Sequence, residues 1–198
     1  MESHFFATIS RMKYIERWAL MRSSRPENLS EHSLEVAMIA HALCVIGNVR
    51  YGKSLDADKA ALIGLYHDAS EIITGDMPTP VKYFNADIRG AYKEVEAVAN
   101  NRLLMQLPED IRSVYEGILC EKPEAKEDEE LRKLVKAADK ISAYIKCIEE
   151  ERSGNQEFNT ARQSTEKMID KMAEDFPEVG DFIRDFLPSY GKTLDELT

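Results

Sequence analysis

The amino-acid sequence predicts an all-α protein of about seven or eight helices. Apolar residues recur at the helical spacing i, i+3, i+4 and i+7 in several segments, most clearly from Leu131 to Ile148. Glycine and proline cluster between these segments, where helices are expected to end. The alternation of apolar and polar residues that is typical of strands is weak. These three observations together favour a helical fold.

The apolar segment SLEVAMIAHALCVI at residues 33–46 predicts a central helix. It is apolar nearly all round, as expected of a helix that packs on several sides. Its start is predicted just upstream, with Asn28 or Ser30 as the N-cap. The helical pattern resumes from Leu62 to Ile73 and breaks at Gly75–Pro80.

The second half of the chain continues the helical pattern with one charged interruption. A looser periodicity runs from Ile88 to Leu103, and the charged run at 121–130 predicts a solvated loop that leads into a helix. Further helices are expected at about 156–187. Because the sequence shows no internal repeat or linker, we expect one domain over residues 1–198, with its core at about 28–142.

Composition and charge limit what the protein can bind. With 198 residues, 43% hydrophobic and 31% charged, the chain is long and apolar enough for one folded core. Its net charge of −10 argues against a broad nucleic-acid surface. No run approaches the roughly 20 apolar residues that a membrane span needs. Three separated cysteines are typical of reduced thiols in a cytoplasmic protein. We therefore expect neither a nucleic-acid polymer nor a membrane as a partner.

Two histidines and two aspartates within or beside the predicted helices form a candidate metal site: His32, His67, Asp68 and Asp139. Packed helices direct such side chains at one centre in helical metalloproteins. Imidazole nitrogens and carboxylate oxygens together suit Mn, Fe, Co, Ni or Zn rather than Ca. Glu71 lies four residues after His67, on the same predicted helical face. A general acid or base is expected at such a position beside a metal.

Each of these residues also has an ordinary structural interpretation. A lone histidine is more often a packing or surface residue than a ligand. The doublet His67-Asp68 also arises by chance, and Asp139 at the flank of an apolar stripe is compatible with a solvated position. Only the conjunction of the four residues with Glu71 favours a metal site.

Four segments carry a resemblance to a known family: SHFFATISRMKYIERWALMR, ENLSEHSLEVAMIAHAL, LYHDASEIITGDMPTPVKYFN and LVKAADKISAYIKCIEE. Their H…HD…D pattern, which contains the four candidate ligands, resembles that of the HD-domain metal-dependent phosphohydrolase superfamily. Together with Arg17-Trp18 and GDMPTPVKYFN, it is similar to the bacterial HD-domain 5′-deoxynucleotidases over residues 3–152. The resemblance implies a single compact HD-domain helical bundle, which agrees with the all-α prediction.

The resemblance implies a role for each matching residue. The four candidate ligands bind one divalent transition metal ion such as Co, Mn or Zn. Glu71 is implied to be catalytic, and Arg17 to act in catalysis by orienting the substrate phosphate. The implied substrate-binding positions are Arg17, Trp18, Asp68, Asp76, Met77, Pro78, Thr79 and Asp139. The implied reaction removes the 5′-phosphate from deoxyribonucleoside monophosphates and discriminates against ribonucleotides. A homodimer is also implied, with the C-terminal helices as a candidate interface.

The chemistry of these side chains suits that reaction. Arg17 presents a planar fork that holds phosphate oxygens bidentately, and Trp18 forms an apolar wall against a 2′-hydroxyl. Asp76 is able to accept a hydrogen bond from the sugar 3′-hydroxyl. Pro78 and Pro80 are expected to stiffen an extended loop, so that binding loses less entropy.

Structural and functional alternatives stand beside this interpretation. Trp18 is also suited to anchor the first helix, Arg17 to pair with a surface carboxylate, and Gly75–Pro78 to end a helix. Other functions compatible with the motif are an HD phosphohydrolase acting on triphosphates, cyclic nucleotides or guanosine tetraphosphate, and a non-catalytic module that binds metal or nucleotide.

Overall fold

Helices form the regular structure of the protein in this computed structural model, which describes residues 2–82, 84–120 and 126–198. The α-helices of these ranges are α1 (Phe5–Ile9), α2 (Leu29–Tyr51), α3 (Ala57–Tyr66), α4 (Glu71–Thr74), α5 (Thr79–Lys82), α6 (Ala86–Leu104), α7 (Glu109–Leu119), α8 (Lys126–Arg152), α9 (Asn159–Asp175) and α10 (Pro177–Asp185). Short 3-10 helices lie at Ser10–Tyr14, Leu187–Ser189 and Leu194–Glu196. The all-α prediction is confirmed. Seven of the described helices, α2, α3 and α6 to α10, have nine residues or more, in line with the predicted number.

Helix α2 lies at the centre of the structure and packs against α3, α8 and α10. The Asn28 side chain caps its start by accepting hydrogen bonds from the backbone N–H groups of Ser30 and Glu31. The Glu31 carboxylate accepts in return from the backbone N–H of Asn28, which completes a capping box. Asn28 is therefore the N-cap, one of the two predicted alternatives.

Helix α2 is also long and apolar enough to cross a membrane, by length and composition only. Only its mean hydropathy is that of a membrane span, because polar residues such as Glu35 and His41 lie among the apolar ones. Within its most apolar stretch, 56% of the helix is buried inside the protein. The core helix of a folded protein passes the same criterion, so the property alone does not identify a membrane span.

Two clusters of buried apolar side chains stabilise the fold. The larger core lies between α2, α3, α8, α9 and α10 and includes Val36 and Leu134. The smaller core joins α1 to α6 and α7 and includes Phe5 and Leu103. Ala69, in the turn after α3, is fully buried in the smaller core. Helix α3 therefore packs in the larger core, while the turn that follows it is anchored in the smaller one.

The helix predicted from Leu62 to Ile73 is divided by a turn after α3. Helix α3 ends just before His67, whose side chain hydrogen-bonds to the backbone of the helix. Its Nδ1 lies 2.7 Å from the carbonyl oxygen of Gly64. In a continuous α-helix that carbonyl would accept from the N–H of Asp68. His67 and Asp68 therefore lie in a turn between α3 and α4, and the prediction that Glu71 shares one helical face with His67 was wrong.

The loop that was predicted to be extended after Gly75 contains a helical turn, α5. The backbone N–H groups of Val81 and Lys82 donate to the carbonyl oxygen of Pro78, at 2.8 and 3.1 Å. Pro80 fits the first turn of a helix because no intrahelical partner is needed for its missing N–H. Of the charged loop predicted at 121–130, residues 121–125 lie outside the described ranges, and α8 begins at Lys126.

Candidate metal and active site

Two histidine rings, the buried His32 of α2 and the half-buried His67 of the turn after α3, face each other with ring centroids 5.3 Å apart. His32, in the second turn of α2, has its Nδ1 3.0 Å from the Ser142 hydroxyl, and that hydroxyl donates to Glu35 at 2.6 Å. Ser142 therefore accepts the Nδ1–H of His32, just as the Gly64 carbonyl accepts that of His67. With its proton on Nδ1, a neutral ring presents the Nε2 lone pair, the form in which imidazole binds a metal.

The Nε2 atoms of both histidines are buried and lack a hydrogen-bond partner among the described residues. The ligand atoms of His32, His67 and Asp68 all lie within 4.8 Å of one another. Asp68 Oδ2 is 3.1 Å from His67 Nε2 and 3.8 Å from His32 Nε2. A buried polar atom without a partner is unfavourable, so two such nitrogens beside a carboxylate fit a metal ion as the missing partner.

Asp139, from α8, approaches the same nitrogen of His32 as Asp68 does. Its Oδ1 is 3.2 Å from His32 Nε2, and its Oδ2 accepts a hydrogen bond from Lys140 at 2.8 Å. The compact cluster thus contains three of the four predicted ligands, and Asp139 borders it through one oxygen. A fourth ligand from α8 would link that helix to α2 and to the turn after α3.

The electrostatics keep the aspartates ionised and His32 neutral. Burial and the nearby positive charge of Arg17 lower the pKa of His32. Burial by itself would raise the pKa of Asp68, but the adjacent His67 outweighs it and lowers that pKa, and the same pairing raises the pKa of His67 against the effect of burial. In the same way Lys140 outweighs burial and holds the pKa of Asp139 well below its usual range. Neutral imidazole and ionised carboxylate are the forms that bind metals.

Glu71 is the first residue of α4 and is buried, with only 4% of its surface exposed. Burial raises its pKa to about 9, and the negative charges of Asp68 and Asp76 contribute to the shift. Its Oε2 is buried and has no hydrogen-bond partner among the described residues. A protonated carboxyl group with a free oxygen, next to a ligand cluster, is suited to donate a proton.

Arg17 and Trp18 lie at the edge of this cluster, directly after the first 3-10 helix. The Arg17 guanidinium approaches Asp68, with Nη1 3.5 Å from Oδ2. The Trp18 indole N–H donates to Glu27 Oε2 at 2.9 Å, and its ring packs edge-to-face on Phe158 with centroids 5.2 Å apart. Arg17 therefore pairs with a candidate metal ligand, whereas the predicted alternative was a surface carboxylate.

The predicted nucleotide loop approaches the site through its first residue. The negative charge of Asp76 is one of those that raise the pKa of Arg17 and of Glu71, so Asp76 lies within electrostatic range of both side chains. Met77 and Pro78 are half-buried, and Thr79 is exposed at the start of α5. The turn at Gly75 has a φ of 72°, which glycine adopts without strain, and it directs the chain from α4 into this loop.

Sequence reasoning did not single out four polar neighbours of the site: Glu27, Glu35, Lys140 and Ser142. Glu27, Lys140 and Ser142 contact predicted residues directly, and Glu35 accepts a hydrogen bond from Ser142. Each sits in one of the segments that carry the family resemblance, but no spacing rule separates such supporting residues from ordinary polar ones.

The all-α architecture is that of the HD-domain phosphohydrolase fold. An HD-domain phosphohydrolase from Listeria innocua superposes with a TM-score of 0.79 at 23% identity, covering 94% of this chain and 88% of that chain. A cyanophage S-2L HD phosphohydrolase, solved with dA and one catalytic Zn²⁺ ion, has a TM-score of 0.63 at 19% identity, covering 93% and 95%. At these identities the likeness shows the fold alone.

Sequence comparison gives the family. The model of the YfbR-like 5′-deoxynucleotidases matches residues 4–190. A 5′-deoxynucleotidase of Shewanella oneidensis is 47% identical over 195 residues, which are 98% of this chain and 97% of that protein. The 5′-deoxynucleotidase YfbR of Shigella flexneri is 47% identical over 197 residues, 100% of this chain and 96% of that protein. The chain belongs to the YfbR-like 5′-deoxynucleotidase family, and the predicted resemblance is confirmed.

Proposed function

We propose that this protein is a metal-dependent 5′-deoxynucleotidase of the cytoplasm, which hydrolyses deoxyribonucleoside 5′-monophosphates to deoxyribonucleosides and phosphate. One observation carries the proposal: the Arg17 guanidinium lies 3.5 Å from Asp68, beside the two unpartnered imidazole nitrogens. A guanidinium suited to bind phosphate therefore lies next to a cluster suited to bind a metal ion. The 5′-deoxynucleotidase relatives, at 47% identity, support the same activity.

We assign the metal to His32, His67 and Asp68, with Asp139 as a fourth ligand. Mixed nitrogen and oxygen donors favour one divalent transition metal ion such as Co, Mn or Zn. When bound, such an ion would act as a Lewis acid, which polarises the phosphoryl group and makes water a better nucleophile. The cyanophage HD phosphohydrolase, which holds one catalytic Zn²⁺, supports a single ion.

The protein's own residues orient the substrate and move the proton. Arg17 holds two phosphate oxygens and stabilises the charge that develops on them. Glu71, whose pKa is raised to about 9, donates its proton to the leaving 5′-oxygen. Its alternative role, positioning the attacking water, requires the ionised form, which burial disfavours.

Selection of the deoxyribose depends on the residues around Arg17. Trp18 places an apolar ring where a 2′-hydroxyl would lose its hydrogen bonds to water, so ribonucleotides bind poorly. Asp76 accepts a hydrogen bond from the 3′-hydroxyl. Contacts to the nucleotide are completed by Met77, Pro78, Thr79, Asp68 and Asp139.

Phosphate release from a panel of deoxyribo- and ribonucleoside monophosphates tests the proposal, with protein that has been chelated and reloaded with Co, Mn or Zn. We expect turnover of the deoxy series only, and loss of turnover in Glu71→Gln with nucleotide binding retained. Asp139→Ala is expected to lose stoichiometric metal binding. Equal rates on ribonucleotides would refute the role of Trp18, and full activity of Glu71→Gln would refute the proton donor.

We also propose that the chain forms one domain and assembles as a homodimer. The family match over residues 4–190 supports the single domain. On the surface, α9 and the end of α10 expose Met168 and Phe186, while α2 exposes a longer apolar stripe that includes Leu34, Met38 and Val49. Because this stripe is longer, we propose α2 as the dimer interface in preference to the predicted C-terminal helices. Light scattering of wild type and Met38→Glu distinguishes them, since only an α2 interface would be weakened.

A further inference from the structure

The Glu27 carboxylate lies next to three residues of the proposed active site: Trp18, Arg17 and His32. Its Oε2 accepts the indole N–H of Trp18 at 2.9 Å and lies 3.5 Å from Nε of Arg17, and its Oε1 lies 3.7 Å from Nδ1 of His32. We infer that Glu27 is a positioning residue, which fixes the phosphate-binding fork and the sugar-facing wall relative to each other. The inference rests on the proposed function and adds to it a residue that determines specificity.

The backbone brings Glu27 to this position. Residues 15–17 and 27–29 run antiparallel beside each other: the Arg17 N–H donates to the Glu27 carbonyl oxygen, and the Leu29 N–H donates to that of Ile15, both at 2.9 Å. An isolated bridge joins Glu16 to Asn28 within the same pairing. This register places the Glu27 side chain next to both Arg17 and the residue after it.

Trp18 requires such support because its backbone is strained. Its φ is 60°, the one positive φ of a non-glycine residue in the described ranges. A bulky side chain rarely adopts this conformation unless surrounding contacts hold it, and such residues cluster at functional sites. Glu27 holds one edge of the indole and Phe158 packs against the ring, so the two contacts fix its orientation.

The charge of Glu27 acts on Arg17 at the same time. The Glu27 and Arg17 side chains are only 13% and 11% exposed, so water screens their attraction weakly. Glu27 attracts the Nε side of the guanidinium, while Nη1 faces Asp68 at 3.5 Å. A guanidinium held at two edges is already oriented for a bidentate contact, and so less entropy is lost when phosphate binds.

The tryptophan emission of the metal-loaded full-length protein tests the contact directly, because Trp18 is the only tryptophan. Glu27→Ala removes the acceptor and is expected to shift the emission maximum to longer wavelength and to increase quenching by iodide. Glu27→Gln keeps an acceptor oxygen and is expected to stay close to wild type. Glu31→Gln, four residues away in the capping box, is the matched control and should change neither property.

Kinetics with the same variants test the consequence for specificity. For Glu27→Ala we expect the ratio of kcat/KM for deoxyribo- over ribonucleotides to fall about ten-fold, the loss expected for a hydrogen bond to a charged group. Glu27→Gln should keep the ratio but raise KM, because it loses the attraction to Arg17. A purely structural role would lower kcat/KM equally for both series.

The proposal is overturned if Glu27→Ala, folded by circular dichroism, leaves emission and quenching unchanged, or if it keeps the wild-type ratio of kcat/KM for the two substrate series. It is also overturned if Glu31→Gln has the same effects. If Glu27→Ala does not fold, Glu27→Gln decides through its KM, since an unchanged KM contradicts the contact to Arg17. A wild-type protein without phosphatase activity on any deoxynucleotide would refute the proposed function instead, and the fluorescence comparison would then decide alone whether Glu27 holds Trp18.

Discussion

Replacing Gly64 with alanine tests whether the contact between α2 and α3 positions the metal ligands. A Cβ atom at residue 64 would lie 2.8 Å from Cα and 3.0 Å from the backbone nitrogen of Ala37, and 3.3 Å from the carbonyl carbon of Val36. All three atoms belong to the backbone of α2. No side chain is able to rotate away, so the two helices have to separate.

These distances allow the loss of stability in Gly64→Ala to be estimated. Carbon atoms in ordinary contact lie about 3.5–4.0 Å apart, so α3 has to move by about 1 Å. Inserting a methyl group into a packed contact costs about 1–3 kcal/mol, while alanine favours a helix over glycine by about 1 kcal/mol. We expect Gly64→Ala to lower the free energy of unfolding by up to about 2 kcal/mol. For a chain of this length the corresponding fall in Tm is up to about 8 °C.

Metal affinity is expected to fall as well, because the carbonyl oxygen of Gly64 accepts the Nδ1–H of His67 and so sets the orientation of that ring. Urea unfolding and calorimetric metal titration measure the two effects. Gly90→Ala in α6 and Gly117→Ala in α7 are matched controls, since an added Cβ meets nothing within 4 Å at either position. They should gain up to about 1 kcal/mol. A Gly64→Ala variant as stable as these controls, with unchanged metal affinity, would refute the reasoning.

The remaining predictions concern a buried carboxylate, a helix cap and the metal. Burial raises the pKa of Glu35 from 4.5 to about 7, so the folded protein holds a proton there that the unfolded chain releases. The stability this contributes is present below about pH 4.5 and is lost as the pH rises through about 7. Glu35→Gln should therefore leave the free energy of unfolding unchanged near pH 4 and raise it near pH 8 by about 1–2 kcal/mol, after allowance for solvent screening; a gain at both pH values in urea titrations would contradict the assignment. Asn28→Ala should cost about 1 kcal/mol in chemical unfolding because it removes the α2 cap, whereas Asn28→Asp should cost little. Chelation should lower the Tm of the metal-loaded protein, since binding stabilises the folded state by mass action; Asp68→Asn should abolish that difference, and a Tm that does not respond to chelator in wild type would contradict the metal site.

The sequence predicted the long helices well because their signal is local. The apolar spacing from Leu131 to Ile148 follows from burial of one face of α8, and Asn28 with Glu31 forms the capping box that its spacing implies. The break at His67 was not predictable in this way. There a side chain competes with a backbone N–H for the carbonyl of Gly64, and periodicity does not report which donor is favoured.

The candidate site could be predicted only in its innermost layer. Histidine and aspartate at spacings typical of ligands identified the cluster, and the family resemblance added Arg17 and Trp18. Of the supporting residues, Ser142 lies 110 positions along the chain from His32, and Glu35 lies 107 positions from Ser142. Contacts at such separations depend on how helices pack, and a single sequence carries no pattern for them.

The charges of the site explain how a protein with a net charge of −10 is able to accept an anionic phosphate. Burial lowers the pKa of Arg17, but the negative charges of four carboxylates outweigh it and raise that pKa: Asp139, Asp68, Glu27 and Asp76. Arg17 and Lys140, which donates to Asp139, supply two positive charges against these four negative ones. Glu71 adds none while it is protonated. The remaining charge of about two negative units matches one divalent cation. Phosphate should therefore bind weakly to the chelated protein, since carboxylates outnumber cations there, and the affinity of inorganic phosphate measured by calorimetry should rise when the metal is restored.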